Sequence, residues 1–172
     1  QKSKEAYKKG DFTNAIKKWT ILGEDGDEKA QYFLGLIYYK GKGVPQDYKT
    51  ALKWYTLSAE QGNKVAQYNL GVTYSFGLGV VPDYKTALKW YFLSSEQGNA
   101  LAQYNLGRLY YLGNGVKEDI VYAHMWINLA SLNGFEMAEE INELLTEIMT
   151  LSQIQEAQKL ARECVKKKYK SC

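Results

Sequence analysis

Residues 30–65 read AQYFLGLIYYKGKGVPQDYKTALKWYTLSAEQGNKV, and residues 66–101 read AQYNLGVTYSFGLGVVPDYKTALKWYFLSSEQGNAL. The two strings agree at 24 of 36 positions. Repetition at that level makes one supersecondary unit the building block of the chain. The period continues into 102–137. Gly35, Gly71 and Gly107 stand 36 apart, as do Gly41, Gly77 and Gly113, and Asp47, Asp83 and Asp119. Ala51, Ala87 and Ala123, then Trp54, Trp90 and Trp126, then Gly62, Gly98 and Gly134, follow the same spacing. The expected domain is therefore a single repeat domain over 1–172. It has a partial unit at 1–29, full units at 30–65, 66–101 and 102–137, and a C-terminal cap at 138–172.

Each unit reads as two helices. Ala30, Leu34, Ile37, Tyr38 and Gly41 fall at i, i+4, i+7, i+8 and i+11, which is one helical stripe. Gly41 suits a left-handed C-cap and Asp47 an N-cap. Tyr48, Ala51, Trp54, Tyr55, Ser58 and Ala59 then form a second stripe, which Gly62 ends and Asn63 restarts. Gly35 lies inside the first helix, at a cost of about 1 kcal/mol relative to Ala. Its recurrence predicts close approach of the second helix, with Trp54, Trp90 and Trp126 in the core opposite the glycines. One such pair cannot bury its apolar face alone, but stacked pairs can.

Bulk properties narrow the function. The 172 residues carry a net charge of +3, which is too weak for a nucleic-acid footprint. No run reaches the roughly 18 apolar residues a membrane span needs. Gln1-Lys2-Ser3-Lys4-Glu5 lacks the apolar core of a signal peptide. One His and two Cys do not make a four-ligand zinc site, and no cofactor motif is present. His124 reads as a surface or seam residue. Cys164 and Cys172 would stand about 12 Å apart in one continuous helix, beyond the roughly 4.4–6.8 Å a disulfide spans. Either the last helix ends soon after Cys164 and the tail folds back, or both thiols stay free. An oxidising compartment favours the bond. Lys166-Lys167-Lys168-Tyr169-Lys170 complements a helix C-terminus, or attracts an acidic lipid or protein.

The string Ala-x-x-x-Leu-Gly-x-x-Tyr-x-x-Gly-x-Gly-Val, followed by Asp, Ala and Trp, spans Ala30–Trp54 and Ala66–Trp90, and with the same frame Ala102–Trp126. It resembles the Sel1-like repeat, a longer relative of the tetratricopeptide repeat. The resemblance implies an all-α, α/α solenoid wound as a right-handed superhelix. It further implies a non-enzymatic adaptor that binds a peptide or partner protein on its concave face. It points to a bacterial protein of the periplasm or the secreted fraction, expected to be a monomer. Some cysteine-rich members are described as penicillin-binding or β-lactamase-like, which makes a hydrolase the alternative. No Ser here has Lys three residues later; Thr50-Ala51-Leu52-Lys53 and Thr86-Ala87-Leu88-Lys89 come nearest.

In such arrays the first helix of each unit lines the concave face. Its positions outside the core stripe are Tyr32, Leu36 and Tyr39 in the first full unit, and Tyr68, Asn69, Val72 and Phe76 in the second. In the third they are Tyr104, Asn105, Arg108 and Tyr111. Tyr gives contact area at low entropy cost, Asn can bond an extended backbone, and Arg108 suits an acidic group. For Tyr32, Tyr68 and Tyr104 the alternative role, padding the seam between units, stays open.

Overall fold

The structure is a computed structural model that describes residues 5–7 and 9–172; within the partial unit at 1–29, residues 1–4 and 8 lie outside it. The described residues form helices and no strand. In chain order these are α1 (Phe12–Glu24), α2 (Glu28–Lys40), α3 (Tyr48–Glu60), α4 (Lys64–Phe76), α5 (Tyr84–Ser95), α6 (Ala100–Leu112), α7 (Ile120–Leu132), α8 (Met137–Ile148) and α9 (Leu151–Lys166). The protein is thus all-α, with the repeated helix pairs of an α/α solenoid.

The boundaries sit where capping chemistry places them. Asp47, Asp83 and Asp119 each accept two backbone N–H bonds from the first turn of the helix they start. Asn63 and Asn99 cap α4 and α6. Gly41, Gly77 and Gly113 close α2, α4 and α6 at φ 64°, 67° and 65°, a left-handed conformation that favours glycine.

The chain divides into two compact units, one ending at Pro82 and the other running from Asp83 to Cys172. In the first, α2 packs on α1 and α3, and α3 packs on α4. Its core gathers Ala15, Trp19, Ala30, Leu34 and Ile37. In the second, α6 packs on α5 and α7, while α7 also receives α8 and α9. The sequence of α7, IVYAHMWINLASL, is apolar nearly all round, and Ala123 through Ile127 are all buried. Such a helix needs partners on most sides, and three helices supply them.

The recurring glycine does permit close approach, but its partner differs from expectation. A Cβ on Gly35 would lie 2.5 Å from Tyr55 Cδ1, so the ring of Tyr55, not Trp54, occupies the space. On Gly107 it would lie 2.6 Å from Ile127 Cγ1 and 2.9 Å from the Ala123 carbonyl oxygen. Trp54 and Trp90 are half-buried, with Lys53 and Lys89 ammonium groups over their rings; only Trp126 is fully buried. The reason is phase. One helical residue is 100°, so the neighbour of Trp faces the glycine while Trp turns toward the flank.

A polar column accompanies the apolar ones. Gln31, Gln67 and Gln103 are 36 apart and buried. Each side-chain amide donates to a carbonyl eight residues back, on Gly23, Ala59 and Ser95, at 2.9, 3.1 and 3.2 Å. The Gln31 and Gln103 side-chain oxygens accept from Gln61 and Asn133. Each carbonyl also accepts a backbone N–H from the turn that follows its helix, on Gly26, Gly62 and Gly98, so the Gln amide supplies the second donor to a helix-end oxygen.

The C-terminus folds back. Helix α9 ends at Lys166; Lys168, Tyr169 and Ser171 take positive φ; and Cys164 is disulfide-bonded to Cys172 at a Cα separation of 5.4 Å. The returning tail is tied elsewhere too. Tyr169 Oη donates to Asn133 Oδ1 at 3.0 Å, Ser171 N donates to Glu96 Oε1 at 2.7 Å, and Lys170 pairs with Glu96 at 3.9 Å. Of the two places expected for His124, surface or seam, its 2% exposure on α7 excludes the surface; neither ring nitrogen is hydrogen-bonded.

Candidate partner-binding site

In the first unit the expected face belongs to α2 and α4. Tyr32, Leu36 and Tyr39 on α2 are half-buried, as are Tyr68, Asn69 and Val72 on α4. Phe76, at the end of α4, is 65% exposed. The Tyr32 ring lies 5.2 Å from Phe33 and 6.2 Å from Tyr55, and Tyr39 lies 5.4 Å from Tyr48. The two tyrosines therefore brace α3 while keeping an outer edge in solvent. Burial pushes the Tyr32 and Tyr68 phenols above their ordinary value, so they stay neutral at any physiological pH.

In the second unit the face closes into a groove. Arg108 and Tyr111 project from α6, and Leu144, Glu147 and Ile148 from α8, over a floor that includes buried Ile127. The groove encloses about 390 Å³, at the small end of ligand-sized clefts. Tyr111, Leu144 and Ile148 are 43%, 52% and 62% exposed, so the rim is apolar and open. Apolar groups left in water on one surface mark contact sites. Arg108 stands beside them with its guanidinium 5.9 Å from the Tyr104 ring centroid. Its Nη1 reaches Asn105 Oδ1 at 3.4 Å, a weak bond that leaves most of its donors free to a partner. Tyr104 itself packs on Phe135 at 4.9 Å, and Asn105 donates to the Leu101 carbonyl at 2.8 Å, within its own helix.

The structure thus brings Arg108 and Tyr111 together and adds Leu144 and Ile148, which sequence reasoning missed. Their signal was the period itself: 108 + 36 = 144 and 112 + 36 = 148. That signal is masked in the sequence because α8 lacks the glycines that announce the other units.

No group of three or more His, Cys, Asp or Glu able to hold a metal occurs among the described residues. Among the described residues no helix is long and apolar enough to cross a membrane. The nearest approach to a Ser-x-x-Lys pair serves as a cap. Thr50 Oγ1 and Thr86 Oγ1 each donate to the Asp carboxylate three residues earlier at 2.6 Å.

The Sel1 repeat profile matches residues 28–63, 64–99 and 100–135, the same period cut two residues earlier. No curated protein matches the chain in sequence. Among solved structures, a Sel1 repeat protein from Oxalobacter formigenes superposes with a TM-score of 0.81 at 28% identity, covering 95% of this chain and 74% of that one. A protective antigen of uropathogenic Escherichia coli strains that displays an SLR fold gives a TM-score of 0.60 at 29% identity, covering 90% of this chain and 42% of that one.

Proposed function

Because the chain belongs to the Sel1 repeat family, we propose that it is a non-enzymatic interaction scaffold whose first-helix surfaces bind a peptide or a partner protein. The single observation that carries this reading is the α6–α8 groove, where exposed Tyr111, Leu144 and Ile148 adjoin Arg108. Apolar anchors beside a free guanidinium suit a partner segment that offers apolar side chains and a carboxylate. On this reading residues 1–172 are a single repeat domain that works as a monomer, with no role in nucleic-acid binding. The Cys164–Cys172 bond supports an oxidising compartment, hence the periplasm or the secreted fraction.

The test is a pull-down from a bacterial envelope fraction with the wild-type chain and with Arg108→Glu/Leu144→Asp as baits, read by mass spectrometry. Both positions are solvent-exposed, so circular dichroism of the variant should match wild type. The reading expects proteins that the wild-type bait retains and the variant loses. Identical retention by both baits, with the fold intact, would remove the groove from the binding surface.

A further inference from the structure

A second cleft lies elsewhere in the second unit, between α7 and α9. Asn128 and Leu132 line it from α7, and Gln158, Arg162, Val165 and Lys166 from α9. Buried Ala161 forms its floor. It encloses about 540 Å³ and shares no lining residue with the α6–α8 groove. Two observations need an explanation. Leu132 is 67% exposed and Val165 44% exposed, so two large apolar side chains face water on opposite walls of one cleft. Arg162 and Lys166 stand one turn apart on one helix face, where like charges repel. Neither is held by an ion pair among the described residues, and no acidic residue lines the cleft. Lys166 complements the C-terminus of α9; Arg162, a full turn inside, gains little from that. Lys167 and Lys168 extend the positive charge beyond the helix end.

We infer that this cleft is a docking site for an acidic amphipathic helix of a partner protein. Its apolar side chains would seat between Leu132 and Val165, and a carboxylate would bridge Arg162 and Lys166. The seat removes both exposed apolar groups from water, and the carboxylate relieves the repulsion between the cations. A helix lying between two helices is an established mode of peptide capture. A bidentate guanidinium gives the contact its direction. The competing occupant is a second copy of this chain, because α8 is itself acidic and amphipathic, with Glu140, Glu143 and Glu147 beside exposed Leu144 and Ile148.

The experiment measures fluorescence anisotropy of the full chain with a labelled synthetic helix. The probe carries Leu at i, i+4 and i+7 and Glu at the flanking positions. Control probes replace Glu by Lys, or Leu by Ser. The expected result is saturable binding of the Leu/Glu probe alone, weakened by added salt. Arg162→Glu/Lys166→Glu and, separately, Leu132→Asp should each weaken it by about tenfold or more, as loss of a charged contact or an anchor does. The same losses are expected on an Arg108→Glu background, where the α6–α8 groove is disabled, which separates the two sites; binding lost through Arg108→Glu alone overturns the proposal. If the double charge reversal fails to fold, Arg162→Gln/Lys166→Gln carries the same prediction. Equal binding of the Lys probe, or unchanged affinity in both the charge and the Leu132 variants, overturns the proposal. So does sedimentation showing self-association that Leu132→Asp abolishes while the Leu/Glu probe fails to bind; the occupant is then a second copy.

Discussion

Gly107→Ala adds a single methyl group to a helix interior, and helix propensity alone predicts a gain of about 1 kcal/mol. The packing predicts the opposite. The new carbon would sit 2.6 Å from Ile127 Cγ1 and 2.9 Å from the Ala123 carbonyl oxygen. Ile127 is 1% exposed, held between α6 and the groove floor it helps to form. The carbonyl belongs to the α7 backbone and moves only if the whole helix does. Overpacking of this kind costs about 1–3 kcal/mol, and a rigid backbone contact belongs at the upper end. The net expectation is a loss of about 1–2 kcal/mol, or roughly 2–8 °C in Tm for a chain of this length. A double-mutant cycle isolates the cause. Ile127→Ala alone leaves a cavity and costs about 2–5 kcal/mol; on the Gly107→Ala background it should cost less, with a coupling of about 0.5–3 kcal/mol. Urea denaturation followed by circular dichroism, with m-values compared to detect lost cooperativity, measures all four corners. A Gly107→Ala protein as stable as wild type, or strictly additive losses, would refute the close-approach argument.

Gln103→Leu should destabilise by about 1–2 kcal/mol, because it leaves the Asn133 amide without its acceptor and reduces the Ser95 carbonyl to its one bond from Gly98 N–H; a thermal melt at or above wild type would show the polar column to be dispensable. Cys172→Ser should release the returning tail and cost about 2 kcal/mol, with trypsin cutting at Lys166–Lys168 before it cuts the helices; an unchanged digestion pattern counts against the strap. His124 supplies a pH dependence. Burial lowers its pKa below the ordinary 6.5, so folding favours the neutral ring. Above 6.5 both states are neutral and nothing is lost. Below it the unfolded chain takes up the proton first, and stability falls until the folded pKa is passed. His124→Phe should flatten this segment of the stability–pH curve. Asp47 and Asp83 act at lower pH. Hydrogen bonds to their carboxylates, the Thr50 and Thr86 hydroxyls first, lower their pKa below 3.8. The stability they contribute is therefore lost only as pH falls through that acidic range. A variant that keeps the full near-neutral slope would show that His124 is not its source.

The helices, their caps and the stacking were legible because each rests on local chemistry that repeats. Asp47 had to begin a helix and Gly41 had to end one, and the 36-residue copies corroborated each other. The identity of the glycine's partner was not legible at the same resolution. Trp54 and Tyr55 are adjacent, and choosing between them requires the rotation of α3 about its axis, which a stripe drawn from sequence fixes only to about one residue. Buried Gln103 and His124 escaped for a different reason. A hydrophobic pattern assigns polar side chains to the surface, whereas Gln103 is buried between the Ser95 carbonyl and the Asn133 amide, which it bonds, and His124 because α7 is enclosed by three helices. The sequence leaves the fold-back of Cys172 as one of two outcomes, since it depends on three residues with positive φ after Lys166 that no glycine announces.

The repeated columns divide into those that hold the fold and those that face outward. The column Ala30, Ala66, Ala102 and Ala138 never changes, and all four are buried at 1% exposure or less. A larger side chain there would force neighbouring helices apart, and a polar one would be stranded without water. The column Leu36, Val72, Arg108 and Leu144 changes at each step in size or charge, and each of its members retains contact with solvent. The column Lys40, Phe76, Leu112 and Ile148 behaves likewise, and all four are exposed. A position that tolerates Leu, Val and Arg in otherwise similar surroundings is not constrained by packing within its own repeat. What distinguishes one repeat from the next lies on these outward columns, where Arg108 replaces an aliphatic side chain beside apolar Tyr111, Leu144 and Ile148. On the scaffold function we propose, selectivity at the α6–α8 groove resides there, on a handful of side chains carried by a scaffold whose repeated residues do the same structural task in every unit.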